Sequence, residues 1–195
     1  MARKTDRRVE RTHQLLRSAL MSLIREKGFE ALTVQNIIDR ANVGRATFYA
    51  HFDNKEDLLV SGFEDLRASL RQRQREALSG RGSVDERAFA FSHEMFAHAN
   101  EYRDVFRAMV GKQSGAVVQQ ILHQMLVELV REDMKAMAAR SEAGSLPAET
   151  TVQFVAGGLF GLLMWWLKGR MRLSVEEING LYRQLAIAGL KAALR

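Results

Sequence analysis

Leu32-Thr33-Val34-Gln35-Asn36-Ile37-Ile38-Asp39-Arg40-Ala41-Asn42-Val43-Gly44-Arg45-Ala46-Thr47-Phe48-Tyr49-Ala50-His51-Phe52 is the stretch on which the fold turns. Thr33 is a good N-cap residue, and Val34, Ile37, Ile38 and Ala41 follow at i, i+3, i+4 and i+7. That spacing predicts a short helix with one apolar face. Asn42 tolerates a left-handed backbone and Gly44 is unrestricted, so Asn42-Val43-Gly44 predicts a tight turn. A third helix is expected over Arg45 to Phe52. On it Arg45 and Tyr49 share one stripe, while Phe48 and Phe52 form the adjoining one. One side can pack on a core while the other offers hydrogen-bond donors, to which Thr47, His51 and Lys55 add.

Outward from this pair the patterning stays helical. Leu15, Leu16, Ala19, Leu20, Leu23 and Ile24 form a stripe that predicts a first helix from about Asp6 to Lys27. Gly28 supplies its stop, and Phe29 stands where the apolar contact of a glycine-ended helix belongs. On the other side Asn54 can cap a fourth helix reaching about Leu78, with Glu56 and Asp57 matching the dipole of its first turn. Ser79-Gly80-Arg81-Gly82-Ser83 is the clearest break. Beyond it, helical patterns occupy about 84–99, 102–110, 115–140, 147–169 and 174–194, with loops at Gly111 to Ser114 and Ser141 to Leu146. The fold class expected is all-α, of about nine helices, without strand-like alternation or internal repeats.

Bulk composition agrees. The chain has 195 residues, 47% of them hydrophobic, enough for a sizeable core. One proline, Pro147, and abundant helix formers favour helices. No cysteine is present, which removes disulfide scaffolds and thiolate metal sites and suits a reducing, cytoplasmic setting. The net charge of +6 attracts polyanions. Arg3, Lys4, Arg7, Arg8, Arg11 and Arg17 face only Asp6 and Glu10 within the first 17 residues, the pattern of a basic arm. No apolar run of signal-peptide type follows that start. Phe154 to Leu167 lacks any polar side chain but covers 14 residues, short of the roughly 20 needed to span a bilayer; it reads as a buried or interfacial helix.

Two short helices joined by a tight turn suit the major groove, which admits one α-helix. The set from Leu32 to Phe52, followed by Asn54-Lys55-Glu56-Asp57-Leu58, closely resembles the TetR family of transcription regulators, over roughly residues 8–60. The resemblance implies a helix-turn-helix DNA-binding domain at 1–60 and a helical regulatory and dimerisation domain at 61–195. It makes Thr33 a phosphate-contacting N-cap with Gln35 beside the groove. Arg45, Ala46 and Thr47 would face base edges, with Gly44 before them in the DNA-binding set, while Tyr49, His51 and Lys55 would touch the backbone. Phe48, Phe52 and Leu58 would be buried. Three positions depart from the family's pattern: Ile38 where alanine is common, Asn42 where glycine is common, and Gly44 where serine often caps the recognition helix. Arginine can bond guanine O6 and N7 together, so Arg45 is the residue expected to read sequence.

The C-terminal half is less explicit. Among its methionines and aromatics, Phe106, Met109, Met125, Met164 and Trp165 are candidates to line a site for a small apolar ligand. The alternative is that each is bundle core. His93 and His98, near Glu94 and with His123 elsewhere, are five apart and off the i, i+4 spacing of a helical metal site, so no metal or other cofactor is expected. Gly157 and Gly161 are four apart and free of side-chain bulk. Ile178, Leu181, Leu185, Ala188 and Ala192 form a stripe on the last helix. Together these predict a homodimer seam, which would set two heads on a pseudo-palindromic operator. The stretch from Gly158 to Ile178 also resembles, weakly, the dihydroxyacetone-kinase regulator type, some members of which act through a partner protein.

The reading this supports is a dimeric repressor released from DNA by a small ligand. The alternative within regulation is an activator or co-regulator governed by a partner protein. A helical enzyme is disfavoured: the chain has no glycine-rich phosphate loop, nucleophile elbow, or paired carboxylates beside a histidine. A membrane-surface protein using the basic arm and the Phe154 to Leu167 run would leave the ordered set from Thr33 to Lys55 unexplained.

Overall fold

Each apolar stripe becomes a helix close to where it was expected. The structure is a computed structural model that describes residues 2–81, 83, 87–109, 113–138, 149–169 and 172–193; among these there are nine helices and no strand. The helices are α1 (Ala2–Lys27), α2 (Val34–Ala41), α3 (Arg45–Tyr49), α4 (Lys55–Ser79), α5 (Phe91–Glu101), α6 (Arg103–Met109), α7 (Gln113–Ala138), α8 (Glu149–Lys168) and α9 (Val175–Ala193). The side chains of Arg3, Lys4 and Ala192, and the loop expected at 141–146, lie outside the described residues.

Two expected elements come out differently. The third helix ends at Tyr49, and Ala50 and His51 form a turn. The helix expected from 84 is broken: Arg87 is helical, residues 88–90 form a turn in which Phe89 takes a left-handed backbone (φ 57°) and its N–H donates to buried Asp133, and a helix starts at Phe91. The chain forms two compact units: Met1–Asp65 with Asp104–Val118, and Leu66–Arg103 with Gln119–Arg195. The division falls inside α4 and moves α6 into the first unit, so it differs from a simple cut at residue 60. α4 carries no internal break signal, and it and α7 each contribute to both units.

In the first unit α1 packs against α2. Leu16, Leu20, Ile24, Ile37, Phe48 and Leu58 are fully buried, with Phe29, Ile38 and Phe52 beside them in burial. Ile38, the larger residue at a position where alanine is common, is simply absorbed into this core. Gly28 closes α1 with φ 77° and an N–H bond to the Ile24 carbonyl (2.9 Å), a conformation that would strain any L side chain. Arg17 is not part of a free arm: it binds Asp65 and donates to Ser61 Oγ (3.3 Å), tying α1 to α4. Arg40 grips Glu26 with two bonds (2.6 and 2.8 Å), holding the Glu26 carboxyl down at about 2.

In the second unit α5, α8 and α9 pack on one another. Phe96 meets Trp166 edge-on at 5.7 Å, and the Trp166 indole N–H donates to the Leu173 carbonyl (3.0 Å). Ser174 and Glu177 form a reciprocal capping box that starts α9 (2.7 and 3.1 Å). A polar cluster lies within this core. Gln74 donates to Leu129 O and Asp133 Oδ1, both at 2.7 Å, and Asp133 Oδ2 accepts from Phe89 N at 2.6 Å. Ser92 bonds Asn179 (2.6 Å), while the Tyr182 hydroxyl is buried without a hydrogen-bond partner among the described residues. Burial pushes the Asp133 carboxyl up to about 6 and raises the Tyr182 phenol as well. By length and composition α8 could cross a membrane. Here Val152, Val155, Ala156, Leu159, Leu163, Met164, Trp166 and Leu167 are buried against its own unit, as expected of a core or interfacial helix.

Candidate nucleic-acid interface

The head presents α3 through a turn built by local chemistry. Thr33 caps α2: its Oγ1 accepts from Asn36 N (3.2 Å), and the Asn36 side chain accepts from Thr33 N (3.2 Å). Asn42 ends α2 in the left-handed conformation (φ 51°), with its N–H on Asp39 O, and Val43 N bonds Ile38 O (3.0 Å). Asparagine therefore does the work that glycine does elsewhere at this position. Gly44 begins α3 with φ −67° and no side-chain cap. A Cβ there would make ordinary contact with Thr47 Oγ1 (3.7 Å), so neither space nor backbone demands glycine. What is missing is a serine-type cap.

On this scaffold Phe48 and Phe52 point into the core, and Thr33, Gln35, Gly44, Arg45, Ala46, Thr47 and Tyr49 are exposed. Arg45 and Tyr49 converge, the guanidinium lying over the ring 5.3 Å from its centre. Arg45 Nη1 also donates to Gln35 Oε1 (3.5 Å), joining α3 to α2, and Gln35 Nε2 donates to Asp39 Oδ1 (2.7 Å). The result is a solvent-facing set of donors on short helices with a packed back. Such a set can address phosphate oxygens and base edges.

Two residues behave differently from the others. His51 is half-buried, its ring edge-on to His13 at 4.9 Å. Burial, then the charges of His51 and Arg17, lower the His13 pKa, and His13 Nε2 is buried without a partner among the described residues. Lys55, expected to touch the DNA backbone, is held within the head itself. Its ammonium donates to the carbonyls of Phe29 (3.0 Å), Leu32 (2.8 Å) and Glu30 (3.4 Å) and sits 4.6 Å from the Phe29 ring centre. An ammonium has three donors, and all three are engaged. Lys55 thus locks the loop that delivers Thr33. Sequence spacing carried no signal for this, because its partners lie 23 to 26 positions away.

Comparison with known proteins places this arrangement. The family profile described as bacterial regulatory proteins, tetR family, matches residues 16–61, and a transcriptional regulator C-terminal region matches residues 86–187, just over half of the chain. The chain belongs to the TetR family. It is 41% identical over 58 residues to the HTH-type transcriptional regulator YxbF of Bacillus subtilis (strain 168), a match covering 29% of this chain and 15% of YxbF. To YhgD of the same organism it is 24% identical over 190 residues, 94% of this chain and 98% of that protein. Among solved structures, the dihydroxyacetone kinase operon activator DhaS superposes with a TM-score of 0.70 at 17% identity, covering 93% of this chain and 97% of that one. The last likeness is one of fold.

As a TetR-family member the protein is a DNA-binding transcription regulator with an N-terminal helix-turn-helix and a helical C-terminal region, and its family is not one of enzymes. The expected C-terminal sites fare unevenly. Phe106 and Met109 are buried in the first unit, and Met125 and Met164 in the second. Trp165 must be removed from any internal lining: it is 61% exposed, and its neighbour Trp166 takes the inward position. Ile178 leaves the expected seam for the opposite reason, being almost fully buried within the chain's own fold. Leu181, Leu185, Ala188 and Gly161 are exposed and Gly157 is half-buried. His93 lies 3.8 Å from Glu176, His98 stacks on Tyr102, and His123 meets Phe160 edge-on; no three metal-ligating side chains gather among the described residues.

Proposed function

We propose that this TetR-family regulator works as a homodimer on a pseudo-palindromic operator, and that it is a cytoplasmic repressor released by a small apolar ligand. The observation carrying the dimer is an apolar surface on α8 and α9. Phe154 (73%), Trp165 (61%), Leu181 (46%) and Leu185 (65%) are exposed there beside Gly157, Gly158 and Gly161. A Cβ added at any of these three glycines would meet nothing within 4 Å, so the subunit's own fold gives no reason for them. Close approach by a second copy would. A group of large exposed side chains around bare backbone is the surface of an interface, not of a free helix.

On DNA, Arg45 is the base reader, with Gly44, Ala46 and Thr47 against base edges. Thr33, Tyr49 and His51 bind phosphates, and Gln35 lies beside the groove. Release follows from α4, which is a single helix belonging to both units and is held in the second by the bonds of Gln74. A ligand that favours a different setting of α4 shifts the dimer between two states. Met125 and Met164 are the residues on which such a ligand would act.

A mobility shift on the intergenic DNA upstream of the protein's own gene, with excess nonspecific competitor, tests this reading. A discrete shift lost in Tyr49→Ala supports it and provides the operator for ligand screening. Binding that is equally strong to unrelated DNA overturns sequence-specific regulation by this head.

A further inference from the structure

We infer that Asp39 is a positioning residue for sequence reading: by holding Gln35, it sets the direction in which Arg45 presents its guanidinium. The inference rests on the proposal that Arg45 reads a base. Gln35 and Asp39 are one turn apart on α2, so their side chains share a face. The Gln35 amide has a donor end and an acceptor end. Asp39 Oδ1 can only accept, and it takes the Nε2 end at 2.7 Å. The oxygen is thereby turned outward, and it is this atom that accepts from Arg45 Nη1 at 3.5 Å. On its other side the guanidinium lies over the Tyr49 ring. Arg45 is therefore guided at one edge and one face, and the rest of its donor fork stays available.

The carboxylate itself argues for such a role. A negative charge exposed on a surface that approaches phosphates weakens binding to every DNA sequence, so its presence needs another reason. In free protein water competes with these exposed bonds. When the head docks, water leaves the groove and the chain from Asp39 through Gln35 to Arg45 strengthens at the moment Arg45 meets a base. Without Asp39, the Gln35 amide can rotate and offer Arg45 its donor end, which repels the guanidinium. The loss then falls on discrimination at one base pair, not on affinity at large.

Selection of bound sites from a random duplex library by the full-length wild type, Arg45→Ala, Asp39→Ala and Asp39→Asn decides the matter. Arg45→Ala identifies the base pair that Arg45 reads, through a loss of about tenfold or more in preference there. Asp39→Ala is expected to weaken preference at that same pair by about threefold or more while keeping the rest of the site. Asp39→Asn still offers Gln35 an acceptor and is expected to stay close to wild type. An Asp39→Ala site identical to wild type, or one degraded evenly at all positions, overturns the inference. So does an Asp39→Asn variant as defective as Asp39→Ala, since charge would then be responsible. If wild type enriches no site, the base-reading role of Arg45 fails first and the inference with it.

Discussion

Replacing Lys55 by methionine keeps most of the side chain's length and removes its ammonium. In the structure that group bonds the carbonyls of Phe29 and Leu32 at 3.0 and 2.8 Å, with Glu30 at 3.4 Å adding little. Each hydrogen bond to a charged group contributes about 1.5–3 kcal/mol, less where water reaches the acceptor, and Lys55 is half-buried. Two good bonds discounted for that exposure give a loss of about 2–4 kcal/mol in the local stability of the α1–α2 connection. Hydrogen exchange of the α2 amides reads this directly, and the loss corresponds to rates faster by roughly 30- to 1,000-fold. A second measurement separates this role from phosphate binding. The slope of log K against log salt falls by about 0.9 for each phosphate contact removed. Lys55→Met is expected to leave that slope unchanged below the unfolding temperature while overall affinity falls. Unchanged exchange together with a slope reduced by about 0.9 would refute the positional argument and restore Lys55 as a phosphate ligand.

Other consequences can be checked alongside. Asp133 has its carboxyl raised from 3.8 to about 6 by burial, so the folded protein holds a proton that the unfolded chain has already released. Its contribution to stability is complete below about pH 4 and is lost as pH rises through 6. The gain of Asp133→Asn over wild type should therefore grow between pH 4.5 and 7.5, by about 2 kcal/mol, in urea unfolding; a difference constant with pH contradicts this. Gly161→Leu meets open space within the subunit and should keep full helicity while producing monomers at low micromolar concentration by sedimentation; a variant still dimeric there removes the glycine face from the seam. Thr33→Ala deletes the α2 cap and should lower head stability by about 1 kcal/mol in urea denaturation, an effect that a cap dispensable to α2 would not produce.

The recognisable part of this protein is the part whose causes are local. Thr33 as a cap, Asn42 as the left-handed residue, Gly28 as the stop of α1 and the split of α3 into Phe48/Phe52 and Arg45/Tyr49 stripes are all legible within a few positions. The reason is that capping, turn geometry and helical periodicity each depend on neighbours no more than about four residues away. Gln35 and Asp39 stand at i, i+4, but only the position of Arg45 gives the pair a use. The break just before α5 was not visible, since no local pattern places Phe89 in a left-handed conformation.

What the tertiary structure alone decided concerns side chains with more than one place to go. A lysine reads the same in sequence whether it meets phosphate or closes on three carbonyls; packing of the α1–α2 loop against α4 sent Lys55 to the carbonyls. Trp165 and Trp166 are adjacent and alike, and only the angle of α8 in its bundle turns one outward and the other onto Phe96. Ile178 sits on the same apolar stripe as Leu185, yet it is buried within the subunit and Leu185 is not. The cluster of Gln74, Phe89 and Asp133 joins residues 44 to 59 positions apart. Sequence sets the element and its faces because those follow from short-range geometry. Which neighbour each face meets is a long-range outcome, settled by how the helices pack.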